Sequence, residues 1–251
     1  FQLGKLNVVS GKSGTGKSSL VKGILLELLE NTNANDEGVK STKNLDELDK
    51  LVYVGQSPIG KTPRSNPATY LGISDHIRDL FAKLPLSKEL SYTKSRFSFN
   101  NKGGRCETCQ GAGKTQIGMH FLGNVDLLCG ECDGKRFNAP TLEVRFKEKS
   151  IADIYEMSVN QAVSFFEDQP KILRGIQTLQ SIGLGYLTLG QSSTTLSGGE
   201  AQRIKIANQL QKKDTGSTLY VLTEPSTGLH HQDVKTLLDL FEQITNKGNT
   251  I

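Results

Sequence analysis

The chain has 251 residues, 35% hydrophobic and 22% charged, with a formal net charge of +4 and a mean hydropathy of −0.36. That is enough chain for one large domain or two small ones, and enough apolar content to bury a core. No apolar run approaches the roughly 20 residues of a membrane helix, and no basic segment followed by an apolar one marks a signal peptide, so a soluble, cytoplasmic protein is expected.

The chain begins at Phe1 almost within a strand and stops at Ile251 where another strand starts, so it reads as a piece of a longer protein. Leu6-Asn7-Val8-Val9 predicts a short buried strand. Gly11-Lys12-Ser13-Gly14-Thr15-Gly16-Lys17-Ser18 follows and fits G-x-x-x-x-G-K-[ST] in full. Ser19 then opens a predicted helix. A strand, a glycine-rich loop and a helix in that order form a phosphate cradle, in which backbone N–H groups point inward and the helix start adds partial positive charge. Lys17 is expected to reach the β- and γ-phosphates of ATP, and the Ser18 hydroxyl to reach Mg²⁺. The alternative is a glycine-rich connection with no ligand.

Residues 31–50 are polar and read as a surface loop with a short acidic helix near Leu45. Leu51-Val52-Tyr53-Val54 predicts a second short strand. It leads into Gly55-Gln56, where a glutamine can reach a metal or an attacking water, or serve as an ordinary turn residue. From Lys61 to Arg105 nine Lys or Arg face three acids (Asp75, Asp79 and Glu89). That excess points to an anionic partner, nucleic acid before membrane, or to a solvated basic face. Within it Ser95-Arg96-Phe97-Ser98-Phe99-Asn100 alternates, which predicts a strand with the two Phe in a local core. A surface presenting aromatics beside cations is the alternative. Lys94, Arg96, Lys102 and Arg105 are the candidate DNA contacts, chosen by clustering beside the first cysteine pair.

Cys106-x2-Cys109 and Cys129-x2-Cys132 hold all four cysteines of the chain. Paired C-x-x-C knuckles at this separation predict a tetrahedral Zn²⁺ site, with two short strands between them. A redox role needs one such pair, and disulfides suit a secreted chain. His120 lies between the knuckles, where four thiolates already complete the site. Apolar residues at helical spacing then predict helices over residues 157–168 and 172–182. Leu196-Ser197-Gly198-Gly199-Glu200 leads into a helix over 204–210. Residues 212–217 form a short loop, 219–222 a buried strand, and 234–244 a last helix.

Taken with the phosphate loop, Leu196-Ser197-Gly198-Gly199-Glu200 resembles the signature of the ABC-type ATPases. Gln56 stands where their Q-loop glutamine stands, residues 219–224 resemble the Walker B strand, and 226–230 the D-loop. An ABC ATPase with this four-cysteine insertion resembles the UvrA family of bacterial nucleotide excision repair. Gln56-Ser57-Pro58-Ile59-Gly60, Gly103-Gly104-Arg105-Cys106, Met119-His120-Phe121-Leu122 and Gly134-Lys135-Arg136 carry that likeness, which runs from end to end of the chain.

The resemblance implies an α/β fold: an ABC-type P-loop ATPase domain with an inserted zinc-binding module and a helical signature subdomain. Residues 1–60 would form the first part of the ATP-binding subdomain, 61–150 the zinc-bearing insert, 151–210 the signature subdomain, and 211–251 the second part of the ATP-binding subdomain. ATP would be held by Gly11, Ser13, Gly14, Thr15, Gly16, Lys17, Ser18 and Ser19. Ser197, Gly198 and Gly199 would cap the γ-phosphate of a facing half, which in this family lies on the same chain. Glu224 would be the general base and Gln56 its partner. Double-stranded DNA, a UvrA-like dimer and a UvrB-like helicase are the implied partners. Two departures bear on ATP hydrolysis: Thr223 replaces the metal-binding aspartate of Walker B, and the chain ends before the switch histidine. The same motifs would suit a paralogue that protects against a DNA-binding drug, or an ATP-binding module with impaired turnover. A transporter motor needs no four-cysteine insertion.

Overall fold

The computed structural model describes residues 1–27, 44–119, 123–212, 215–227, 229 and 231–251. Two compact units divide it. One comprises Phe1–Gln56 with Lys212–Ile251, the other Ser57–Gln211. Among the described residues no helix is long and apolar enough to cross a membrane.

The first unit is built on parallel pairing. Strand β1 (Lys50–Val54) lies beside a strand that we label β6 (Thr218–Leu222), in register from Lys50 opposite Thr218 to Val54 opposite Leu222. The chain terminus extends this ladder. Tyr220 N–H donates to Thr250 O (2.8 Å), and Ile251 N–H donates to Lys5 O (3.0 Å). Such pairing leaves helices to cover the sheet faces. The last helix of the chain, residues 231–245, buries Leu237, Leu240, Phe241 and Ile244, one apolar stripe at helical spacing. The buried Asn249 joins it to the strand, donating to Ile244 O and accepting from Thr218 N–H.

Residues 6–9 depart from expectation. Asn7 N–H does donate to Ile251 O (2.7 Å), so the segment is extended and paired. It is not buried: Leu6 is 41%, Val8 78% and Val9 37% exposed. The helix after the phosphate loop, Ser19–Leu26, is wound with the wider π spacing. The acidic helix expected near Leu45 is one 3-10 turn, Leu45–Glu47. Residues 31–43 of the expected loop lie outside the described residues, as do His120, Phe121, Leu122, Gly228 and His230.

The second unit is mainly helical. Its helices start where the sequence offers caps: α1 (Pro67–Tyr70) at Asn66, α5 (Ile151–Glu156) at Ser150, α6 (Val159–Phe165) at Ser158 and α8 (Gly198–Leu210) at Ser197. Each of these caps closes a reciprocal box with the residue three positions on, satisfying two backbone donors at once. Between α1 and α5 run α2 (Ile73–Ala82), α3 (Pro85–Glu89) and α4 (Ala139–Leu142). Helix α7 (Pro170–Ser181) packs against α2, α6 and α8. Ile73, Ile77 and Phe81 of α2 and Ile176 and Leu179 of α7 are almost wholly buried, worth about 1.5–3 kcal/mol each.

The strand expected over residues 95–100 is not formed. Lys94–Phe97 is a 3-10 turn. Phe97 and Phe99 are nonetheless core residues, at 0% and 2% exposure, with Phe97 5.4 Å from the Phe81 ring and Phe99 5.5 Å from Tyr155. A turn can bury two rings in alternation because Phe97 and Phe99 pack on different neighbours, which alternation alone does not distinguish. The two short strands expected between the knuckles are present as a hairpin, β2 (Lys114–Met119) and β3 (Gly123–Leu128). The two-residue strands β4 (Arg145–Phe146) and β5 (Lys149–Ser150) form a smaller one.

Candidate functional site

The phosphate loop turns on glycines. Gly14 and Gly16 take φ values of 82° and 84°, a left-handed backbone open to glycine and costly for other residues. Thr15 closes the turn by donating its hydroxyl to Lys12 O (2.8 Å). The Lys17 ammonium folds back over the loop, donating to Gly11 O (2.8 Å) and Lys12 O (2.7 Å). Those carbonyls hold the cation at the loop mouth, where a phosphate oxygen can compete for it. Lys17, Ser18, Thr223 and Glu224 line part of a cavity of about 1060 Å³, with Val8 and Phe241 on its apolar wall.

At the end of β6, Thr223 shares a hydrogen bond with Tyr53 (3.0 Å). Gln56 donates to the backbone carbonyl of Glu224 (3.3 Å), so Gln56 and Glu224 meet, although they are far apart in sequence. Glu224 is exposed and has φ 47°, which a non-glycine residue adopts only when its surroundings hold it there. Sequence reasoning missed Tyr53. Its ring lies under Lys22, 5.4 Å from the ammonium, and its hydroxyl occupies Thr223. Thr223 itself is a poor Mg²⁺ ligand. Mg²⁺ prefers anionic oxygens, and Thr223 offers a neutral hydroxyl already shared with Tyr53.

The four cysteines converge. Their sulfurs lie within 4.8 Å of one another, all four are buried, and all are free thiols. Cys106 and Cys129 sulfurs are 3.9 Å apart, those of Cys109 and Cys132 3.7 Å. A disulfide needs about 2.05 Å, whereas four thiolates placed about 2.3 Å from one Zn²⁺ sit about 3.8 Å apart. The cluster therefore fits a closed tetrahedral zinc site. Gly113 N–H donates to Cys109 Sγ (3.3 Å). The backbone N–H of Cys132 lowers Cys129 to about 7, while burial pushes Cys132 up to about 12. Gly111 shows why glycine flanks the knuckle: at φ 80° a Cβ there would lie 1.7 Å from Phe99 O.

Ser197 caps α8. Its hydroxyl accepts from Glu200 N–H (3.3 Å), and Glu200 Oε2 accepts from Ser197 N–H (2.7 Å). Tyr186 fixes the same carboxylate by donating to Oε1 (2.7 Å). Because its oxygen accepts in the cap, the Ser197 hydroxyl keeps its own proton to donate. The first-turn N–H groups of Gly198 and Gly199 share that end of the helix.

The basic stretch is less available than its charge suggests. Lys94 pairs with Asp79 (3.0 Å) and Asp75 (3.8 Å), and Arg78 pairs with Asp75. Arg96 points inward, donating to Thr141 Oγ1 (2.8 Å) and Tyr92 OH (3.3 Å) with its guanidinium 4.2 Å from the Tyr92 ring centre. Arg105 is held by Glu107 (3.1 Å) and donates to Asn100 O (3.2 Å). Lys102 is exposed, with no hydrogen bond or ion pair among the described residues.

No protein-family model matches the chain. Curated relatives do. It is 54% identical to the UvrABC system protein A of Staphylococcus epidermidis (strain ATCC 35984) over 256 residues, covering 100% of the chain and 27% of that protein. Against the UvrABC system protein A of Bacillus subtilis (strain 168) the figures are 52% over 255 residues, 100% and 27%. The chain thus spans about a quarter of the length of the curated relatives it matches. Among solved structures, UvrA2 from Deinococcus radiodurans superposes with a TM-score of 0.93 at 48% identity, covering 100% of the chain and 31% of that one. The fold is that of an ABC-type P-loop ATPase domain carrying a four-cysteine module.

Proposed function

We propose that this chain, which belongs over its whole length to the UvrA family, is the ATP-binding, zinc-holding and DNA-contacting segment of a damage-recognition protein in nucleotide excision repair. The observation that carries the reading is a phosphate loop and a four-cysteine cluster in one chain whose backbone follows UvrA2 throughout. The nucleotide phosphates would enter at Lys17, replacing its carbonyl partners, with backbone N–H groups from Ser13 to Ser19 as donors. Ser197 and the start of α8 would donate to the γ-phosphate held by a second ABC half. The cluster would hold one structural Zn²⁺ through Cys106, Cys109, Cys129 and Cys132, with no open position and so no part in chemistry.

Duplex DNA would be held mainly through phosphates, since lesions share no base code, and damage would be sensed as deformability. Lys102 offers the readiest contact. Lys94 and Arg105 would exchange a carboxylate for a phosphate, and Arg96 would act by holding the turn. A UvrA-like dimer and a UvrB-like helicase complete the proposal, with the cytoplasm as its location. No step is assigned to Mg²⁺ here. Glu224, held by strained backbone beside Gln56, remains the candidate base.

Nucleotide titration tests the reading. Lys17→Ala is expected to weaken ATP binding by more than about tenfold, the scale of a lost charge-assisted contact, with unchanged circular dichroism. Equal affinity in variant and parent would remove the phosphate-loop assignment. Duplex binding should fall steeply with salt; a salt-independent affinity would remove the DNA assignment.

A further inference from the structure

Arg136 lies four residues beyond the last cysteine and joins two parts of its unit. Its backbone carbonyl accepts from Cys106 N–H (2.9 Å), which ties the second knuckle to the first. Its guanidinium turns the other way. Nη2 donates to Gly190 O (3.2 Å), and the group lies 5.3 Å from the centre of the Phe99 ring. That ring meets Tyr155 and Phe137, so the cation rests on a buried aromatic cluster. Its Nη1 is buried with no hydrogen-bond partner among the described residues, and its backbone N–H donates to the Cys132 sulfur. Arg136 is half-buried, and a cation taken even partly out of water is costly unless charge of opposite sign is near. Four thiolates around one divalent ion carry two net negative charges, which is the compensation this guanidinium needs.

Gly190 sits at the root of the turn that ends in Ser197. Its N–H donates to Tyr155 O (2.7 Å), and a Cβ there would come within 2.7 Å of Tyr155 Cβ, so the chain has little freedom at this point. Three residues on, Ser193 N–H donates to Ser65 O (2.7 Å) and its hydroxyl to Gly60 O (2.9 Å). Ser192 caps the 3-10 turn Ser193–Thr195 that runs into Ser197. The Arg136 bond to Gly190 O is therefore a direct polar tie between the cysteine module and the segment presenting the α8 cap.

We propose that Arg136 is a positioning residue that couples the metal-loaded cysteine cluster to the turn from Gly190 to Ser197, so that loading the cluster orders the helix start at which a phosphate would be capped. The metal then does more than fold its own knuckles: it fixes, through one guanidinium, the loop on which Ser197 is carried. The inference concerns the ordering of the loop and holds whether or not nucleotide binds there.

Amide hydrogen exchange on the zinc-loaded chain tests it. In Arg136→Met, which keeps the apolar stem and removes the fork, one equivalent of zinc should remain by elemental analysis. The amides of Cys106 and Gly113 should keep their protection. Those of Gly190 and Ser193 should exchange about tenfold faster or more, as expected for loss of a hydrogen bond from a charged donor. Unchanged exchange at Gly190 and Ser193 with zinc retained would overturn the proposal. So would loss of zinc, because Arg136 would then serve the knuckle alone. Should the variant fail to fold, chelation of the parent gives the same reading. Stripping the metal should accelerate exchange at Gly190 and Ser193, and unaltered protection there would overturn the coupling.

Discussion

Thr223 Oγ1 lies 3.0 Å from the Tyr53 hydroxyl, and neither group brings negative charge to the end of β6. A divalent ion beside the nucleotide would be left with Ser18, the phosphates and water, which suits Mg²⁺ poorly as a protein-held ligand. ATP is therefore expected to bind with little added affinity from Mg²⁺. Thr223→Asp should restore an increment on the order of tenfold while metal-free affinity barely changes. Titrations of both versions with and without Mg²⁺ check this, and a large increment in the parent would defeat it. Arg105 poses a second question at this scale. Its hydrogen bond holds the Glu107 carboxyl below its ordinary value. A lowered carboxylate pKa means the pair contributes above the ordinary carboxylate range and is lost as pH falls through the lowered value. Glu107 is exposed, so its effect on stability is small. Its effect on availability is larger: Glu107→Gln removes a competitor for Arg105, and duplex affinity at low salt should rise a few-fold with a steeper salt slope. A fall in affinity would place Arg105 outside the DNA surface.

Helix α8 shows how a local sequence pattern sets an element. Ser197 and Glu200 close a box at the helix start, so the helix begins at Gly198, six residues before the start expected from the sequence. Ser197→Ala should cost about 1 kcal/mol in urea unfolding, and Ser197→Gly only a few tenths. Equal losses would mean that the hydroxyl does not act as the cap. Where expectation held, as for β1, the β2–β3 hairpin, α6, α7, β6 and the last helix, apolar spacing and turn chemistry act within a few residues; α1 to α4 were not legible. Residues 95–100 were not, because alternation of Phe97 and Phe99 satisfies a strand and a buried turn equally. Residues 6–9 read as a buried strand from composition alone, yet Val8 is 78% exposed.

At the scale of the molecule, the metal site sits in a unit with few other means to close its module. The knuckles are tied by Cys106 to Arg136 and by Cys129 N–H to Gly113 O (3.0 Å), and the four cysteines form a buried cluster of their own. Removing zinc should leave four buried thiols without their common partner and unfold the segment between Gly103 and Asn138, as structural zinc sites supply folding energy directly. Chelation of the reduced protein, followed by thermal unfolding and limited proteolysis, checks this. Undiminished resistance of that segment to protease would refute it. Gly111→Ala should have a comparable effect with zinc present, since its Cβ has no room beside Phe99 O.

The sequence by itself determined the phosphate loop, the four-cysteine site, the signature motif and the family they resemble. Each of those is written in short-range spacing, where backbone geometry and ligand chemistry leave few residue types able to do the work. Only the tertiary structure decided which charges are available. Arg96 finds Thr141 forty-five positions away, Tyr53 meets Thr223 across 170, and Arg136 reaches Gly190 across 54. A count of lysines and arginines treats every cation as free, whereas the fold assigns each one a partner, an aromatic face or open water. Those assignments depend on contacts between distant parts of the chain, and no local pattern records them.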